Sequence, residues 1–93
     1  MPFVYILRCR DGTLYVGHTE DLAAREATHN EGGGAGYTAA RRPVKLVYSE
    51  VHSTMESAVR RERQLKRWSA QKKEALITGD LRTLKSLSKR RNR

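Results

Sequence analysis

Three groups of residues in this chain have types and spacings that could do chemistry. Glu62 sits in the middle of an apolar helical stripe, three residues after Val59 and three before Leu65. A carboxylate at a core-facing position stays protonated or costs several kcal/mol unless something meets it. Either a basic partner, for which Arg25 is a candidate, or a bound cation would serve. One carboxylate is too little for a caged calcium ion. It is enough for one magnesium ion, which keeps most of its waters and takes further ligands from a phosphate. Tyr5 and Tyr15 are two of the four tyrosines. Tyrosine suits an amphipathic strand, but a phenol of pKa about 10 can also act as a base beside a cation. Arg25 and His29 lie four apart on one helical face, which is either a solvated face or a phosphate fork next to a proton-transfer group. His18 follows as a site residue or a strand-end surface group. His52 is assigned no role.

The elements that must position these groups read as β-β-α-β-α-α, a small α+β domain with a three-stranded antiparallel sheet flanked by helices. Residues 3–9 are apolar on both faces, as a central strand requires. Arg10-Asp11-Gly12-Thr13 is a turn and Leu14-Tyr15-Val16-Gly17 the returning strand. A two-residue loop would put Tyr5 and Tyr15 on opposite faces. A three-residue loop with Gly12 left-handed pairs Cys9 with Thr13, Leu7 with Tyr15 and Tyr5 with Gly17. We expect this bulged form, with both phenols on one face about 7–8 Å apart at the backbone.

Thr19 is the expected cap of a first helix running to Asn30, with Leu22, Arg25 and His29 on one stripe. Glu31 to Gly36 holds four glycines and reads as a flexible loop. The loop continues through Tyr37 to Arg42. Pro43 opens a third strand, Val44 to Val51, in which Val44, Leu46 and Tyr48 alternate with Lys45, Val47 and Ser49. Ser53-Thr54-Met55-Glu56 reads as a capping box, followed by the stripe Met55, Ala58, Val59, Leu65. Ser69 caps a further helix that ends at Gly79-Asp80. Residues 1–79 are the expected domain and 80–93 a basic extension, partly helical or frayed. Leu81, Leu84 and Leu87 are the only apolar stripe of that extension.

At 93 residues and 10.6 kDa, the chain has room for one small domain. No apolar run approaches the roughly 20 residues of a membrane helix, and the N-terminus has no basic lead-in or cleavage site. The single cysteine, Cys9, can form neither an internal disulfide nor a thiolate metal site alone, so a reducing cytoplasm is the expected compartment. The net charge is +9 and it is lopsided: residues 1–59 carry a net of −1 and residues 60–93 a net of +10. Such a field suits a polyanion, most simply nucleic acid. It also suits a solvated basic tail. There is no Walker loop, nucleophile elbow or dinucleotide fingerprint.

Val4-Tyr5, followed ten residues after Tyr5 by Tyr15-Val16-Gly17, resembles the paired signature of the GIY-YIG endonuclease superfamily. Phe3-Val4-Tyr5 stands for Gly-Ile-Tyr and Tyr-Val-Gly for Tyr-Ile-Gly, and both departures spare the tyrosines and Gly17. Arg25 to His29 resembles the family's Arg-x-x-x-His segment, and Glu62 with Leu65-Lys66-Arg67-Trp68 its glutamate helix. Gly36-Tyr37-Thr38 and Pro43 to Tyr48 resemble the small stand-alone bacterial members. The resemblance spans roughly residues 3–78.

The resemblance implies a divalent-metal phosphodiesterase, an endonuclease with one magnesium or manganese ion, and by kinship a part in DNA repair. Tyr5 would activate or orient the attacking water, Glu62 would hold the ion, and Arg25 would bind the scissile phosphate. Tyr15 and His29 would hydrogen-bond the phosphate or the water. His18, Gly17, Tyr37 and Lys66 are accessory candidates, His18 standing where several relatives carry lysine. Arg60, Arg61, Arg63, Arg67, Lys72 and Lys73 would hold the nucleic-acid backbone, DNA ahead of RNA and single-stranded or structured DNA first. The expected state is a monomer or weak homodimer. Two other classes fit the same features: a non-catalytic DNA- or RNA-binding module, and a protein-interaction module using the leucine stripe of the extension.

Overall fold

The computed structural model describes residues 1–80 and 82–86. Strands β1 (Phe3–Arg8), β2 (Leu14–Thr19) and β3 (Lys45–Val51) form one antiparallel sheet in the order β2-β1-β3. Helices α1 (Leu22–Asn30) and α2 (Gly36–Ala39) precede β3; α3 (Met55–Lys66) and α4 (Ala70–Thr78) follow it. Residues 82–86 are helical. Leu81 and Leu87, two members of the expected leucine stripe, lie outside the described residues.

β1 is the central strand because it is apolar on both faces. Val4 and Ile6 pack with Val16, Ala58 and Leu65 under α3 and α4. Tyr5 and Leu7 pack on the other face with Cys9 and Val44, against Tyr15, Leu22 and Leu46. The hairpin takes the bulged register: Gly12 has φ +87°, Cys9 N donates to Thr13 O at 2.8 Å, and Tyr5 pairs with Gly17 and Leu7 with Tyr15. Both phenols therefore share the α1 face. Gly12 is one of the places where the turn requires a left-handed residue.

Four expectations are corrected. The loop expected from Glu31 through Arg42 contains the helix α2. The cap of α1 is Asp21, which accepts from Ala24 N at 3.0 Å, whereas Thr19 is the buried last residue of β2. The cap of α3 is Thr54, accepting from Ser57 N, one residue later than a box starting at Ser53. The alternation in β3 is broken by a bulge. Ile6 pairs with Tyr48 and Leu7 with Leu46, so Leu46 joins the α1 face while Val47 and Tyr48 pack on the α3 face.

The side chains of α1 meet the start of β3. Glu26 Oε2 accepts from Leu46 N at 2.6 Å. Asn30, one turn on, accepts from Val44 N at 2.7 Å and donates to Val44 O at 3.0 Å. Backbone groups at an irregular strand entrance are thus satisfied by a helix, and the helix is strapped to the sheet. Across the sheet, Glu50 anchors β3 to α3. It accepts from Tyr48 Oη at 2.5 Å and Arg61 Nε at 2.9 Å, and lies 2.7 Å from His52 Nε2. His52 Nδ1 in turn meets Ser57 Oγ at 2.7 Å. Burial pushes the Glu50 carboxyl up, but these donors outweigh it and hold it below the usual range. His52 therefore has a structural place that its sequence context did not show.

Leu65 is 0% exposed at the centre of the α3 contact. Leu65→Ala is expected to lower stability by about 2–5 kcal/mol, read as a fall in urea midpoint with an unchanged slope.

Candidate functional site

The site forms at the β2 edge of the sheet, and β2 divides it into two groups. On the α1 face, the Tyr5 ring lies over the bare backbone of Gly17. A Cβ on Gly17 would stand 2.5 Å from the Tyr5 hydroxyl oxygen and 2.6 Å from its ring carbon Cζ. The absence of a side chain at position 17 is what lets the phenol reach the edge. There the Tyr5 hydroxyl lies 3.1 Å from His29 Nε2. His29 Nδ1 lies 2.7 Å from Thr38 Oγ1. His29 is 1% exposed. The glycine loop is no idle linker: Gly34 passes so close to the imidazole that a Cβ there would collide with it.

Tyr15 tilts against His29 with ring centroids 5.2 Å apart, and Tyr37 stacks on Tyr15 at 6.3 Å. Arg41 lies 3.9 Å above the Tyr37 ring. It is held there by Asp11 at 3.1 Å and by Tyr37 O at 3.0 Å. Arg41 joins the site with no mark in the sequence beyond standing four residues after Tyr37.

On the α3 face, His18 projects from the position paired with Val4 and meets Glu62. His18 Nδ1 contacts Glu62 Oε1, and Lys66 Nζ lies 2.7 Å from Glu62 Oε2. The carboxylate side chain is 14% exposed. The expected Arg25 partner is replaced by this histidine–lysine pair. Arg25 is instead beside the Tyr5 hydroxyl. It is exposed, while Glu26 and Asn30 on the same helix hold the backbone that carries it.

Electrostatics separates the two groups. Burial raises the Glu62 carboxyl, but Lys66 and His18 outweigh it and hold Glu62 ionised, below the usual carboxylate range. Burial pushes Tyr5 up to about 12, with Tyr15 and Glu62 adding and Arg25 opposing. A cation beside Tyr5 is expected to lower its pKa. Arg25 does so only in part, because the ring is packed into the sheet and loses water. His29 is lowered by burial and then by Arg25, so its imidazole is neutral near pH 7.

The expected nucleic-acid arginines and lysines divide. Arg60, Arg63 and Arg67 are exposed and Lys73 is half-buried. Lys72 is 6% exposed with its ammonium 4.2 Å from the Trp68 ring centre. Arg61 is tied to Glu50 and Gln64. These two pack against Trp68 and β3.

The comparisons with known proteins agree with this architecture. The model of the GIY-YIG catalytic domain matches residues 1–75. UPF0213 proteins of Staphylococcus aureus strains Mu3 and Mu50 are 51% identical over 75 residues, covering 81% of this chain and 92% of theirs. The solution NMR structure of the UPF0213 protein BH0048 from Bacillus halodurans is 42% identical. It has a TM-score of 0.54, with 84% of each chain covered. The chain thus carries a nuclease-superfamily domain, and it belongs to the GIY-YIG family. Its similarity is to the small UPF0213 proteins of bacteria. The superfamily acts on nucleic acids and generally uses a divalent metal ion. No helix among the described residues is long and apolar enough to cross a membrane.

The donor set fits only a sparingly bound ion. Among the described residues no group of three or more His, Cys, Asp or Glu could cage a metal. Glu62 is ionised and half-buried, and its two oxygens have lone pairs beyond those used by His18 and Lys66. That suits one hydrated magnesium or manganese ion sharing its shell with phosphate oxygens.

Two outcomes follow. In alkaline titration of the metal-free protein by phenolate absorbance, Tyr5 and Tyr48 should both ionise late, near about 12. Tyr5→Phe should remove one of these late phenols. Both are held neutral by the fold, so their contribution to stability should persist below the ordinary phenol pKa of about 10 and fade as pH rises toward 12. Gly17→Ala should expel the Tyr5 ring and return its titration toward the ordinary value. Its stability loss is expected to be about 1–3 kcal/mol, read by urea melts.

Proposed function

We propose that this protein is a divalent-metal-dependent endonuclease that hydrolyses phosphodiester bonds in DNA, with single-stranded or structured DNA as its first candidate substrates. The observation that carries this reading is the meeting of Tyr5, His29 and Arg25 over Gly17, with an ionised Glu62 whose charge reaches the Tyr5 hydroxyl.

In this reading Arg25 binds the scissile phosphate, its exposed guanidinium matching two phosphate oxygens. Charge that develops on those oxygens is stabilised by a group already in place. Tyr5 faces the attacking water. With a pKa of about 12, roughly one molecule in 10⁵ carries the phenolate at pH 7. Tyr5 therefore orients water as a neutral phenol until positive charge nearby makes its ionisation easier. His29 has both ring nitrogens engaged, so its role is to hold Tyr5 rather than to reach the phosphate itself. Tyr15 and Tyr37 wall the site. Glu62 would hold the metal ion, with His18 and Lys66 keeping its carboxylate ionised and aimed. A bound ion would polarise a phosphate oxygen and stabilise the leaving oxygen. Arg60, Arg63, Arg67 and Lys73 would track the backbone.

One observation favours a second reading, a non-catalytic DNA- or RNA-binding module. Both Glu62 oxygens already have basic partners, so the acid could be a structural clamp.

Cleavage of plasmid, duplex, single-stranded and branched oligonucleotides with magnesium or manganese separates the two. The nuclease reading expects metal-dependent scission that chelation abolishes. It also expects Glu62→Ala to lose at least about 100-fold, the scale of a main electrostatic group, while still binding DNA. Equal scission by wild type and Glu62→Ala removes Glu62 as the ligand. Salt-sensitive binding without scission supports the module.

A further inference from the structure

We propose that Thr38 is a positioning residue that fixes the tautomer of His29 and so sets the direction in which a proton can leave Tyr5. This rests on Tyr5 acting on water as described above. Thr38 is 0% exposed and belongs to the short helix α2. Its Oγ1 lies 2.9 Å from the carbonyl oxygen of Ala35 and 2.7 Å from His29 Nδ1. A carbonyl oxygen only accepts, and a threonine hydroxyl has a single proton to give. When that proton goes to Ala35, Oγ1 is left as an acceptor and His29 Nδ1–H donates to it. The lone pair of the neutral imidazole is then on Nε2, 3.1 Å from the Tyr5 hydroxyl, which donates to it.

The opposite tautomer needs the Thr38 proton to point at Nδ1. Oγ1 and the Ala35 oxygen would then face each other 2.9 Å apart, lone pair to lone pair, with no proton between them. Both Thr38 and His29 are closed to solvent, so water cannot relieve that contact. Ala35 O also accepts from Thr38 N at 3.1 Å and Ala39 N at 3.0 Å, so the ordering is selected by the 2.9 Å contact between Oγ1 and Ala35 O, which only a proton between them makes favourable: Tyr5 O–H to Nε2, Nδ1–H to Thr38 Oγ1, and Thr38 O–H to Ala35 O.

The groups facing His29 favour a neutral ring. Tyr5 comes from β1, the Tyr15 ring from β2, Arg25 from α1 itself, Thr38 from α2, and Gly34 from the preceding loop. None of them is a carboxylate that would hold a second proton on the ring. If Tyr5 ionises, its O–H bond breaks and an N–H bond forms at Nε2. The electron pair stays on the phenolate oxygen that faces water. The resulting imidazolium keeps its Nδ1–H on Thr38, so no hydrogen bond in the chain has to be remade. Lys, Asn or Val at position 38 could not do this, because none offers a donor-and-acceptor oxygen at that point.

Long-range proton–nitrogen correlation spectra of the full, nitrogen-15-labelled chain test this directly, with the His29 signals assigned by His29→Gln. The wild type should show His29 protonated on Nδ1 and bare on Nε2 at neutral pH. Thr38→Ser should keep that pattern. Thr38→Val, equal in shape but with no oxygen, should move proton density to Nε2. In cleavage assays, Thr38→Val should lower kcat by about 10- to 100-fold, by analogy with the loss of the outer hydrogen-bond partner of a metal-ligating histidine. KM should stay within about twofold, as for a group acting on the chemical step. Thr38→Ser should recover most of the rate. A wild-type histidine protonated on Nε2, or a Thr38→Val protein that keeps the Nδ1 proton, overturns the proposal. If Thr38→Val does not fold, the wild-type and Thr38→Ser spectra decide alone. If the tautomer behaves as expected but the wild type cuts nothing, the nuclease reading falls and the hold of Thr38 on His29 stands.

Discussion

The site depends on one steric permission: the Tyr5 ring can lie flat across β2 because position 17 has no side chain. Tyr5 belongs to the central strand, where its ring is packed and its rotamer held by Leu7, Val44 and the α1 face. Its hydroxyl must nevertheless reach the edge of the sheet to do anything. The open backbone at Gly17 supplies that path. Once the phenol is there, His29 can meet it, and His29 can do so only because Gly34 leaves room for the imidazole. Two glycines in different loops and strands are therefore parts of one device. Each is needed for a close approach rather than for a left-handed turn.

The sheet edge also separates charge. Across β2 from the phenol, Glu62 is kept ionised by Lys66 and His18. On the near side, burial keeps Tyr5 protonated and His29 neutral. In a medium of low dielectric these opposite outcomes reinforce each other, since the negative carboxylate makes the phenolate harder to form. Arg25 is the one positive group pulling the other way at Tyr5. The structure thus sets an ionised acid and a neutral phenol on opposite sides of β2.

Much of this was legible in the residues. The doubly apolar 3–9 segment announced the central strand. The Asp11-Gly12 turn set the register that pairs Tyr5 with Gly17, and Glu62 was conspicuous as a carboxylate within an apolar stripe. Of the partners of Glu62, Lys66 stands one helical turn on, at a spacing open to reading, but His18 was not legible. Periodicity offered Arg25, but His18 comes from β2 and is 44 residues away in sequence, and only packing brings it round. Nor was the mounting of α1. Glu26 and Asn30 look like ordinary polar helix residues until α1 packs beside the start of the edge strand β3, where the backbone groups of Val44 and Leu46 meet them. Bulges leave no periodic mark, and a four-residue helix such as α2 leaves too short a pattern to read.

Sequence alone determined which residues were available and which strand faces they share, because strand and helix periods follow from backbone geometry. It also determined the family, since tyrosines, arginine, histidine and glutamate occur in order along the chain. Tertiary structure decided which of them touch. It set the ionised acid against the protonated phenol, placed Thr38 behind His29, and turned Lys72 inward to Trp68. Those outcomes depend on burial and on contacts between distant segments. Local propensity has no bearing on either, because a group loses its water only when the rest of the chain closes over it.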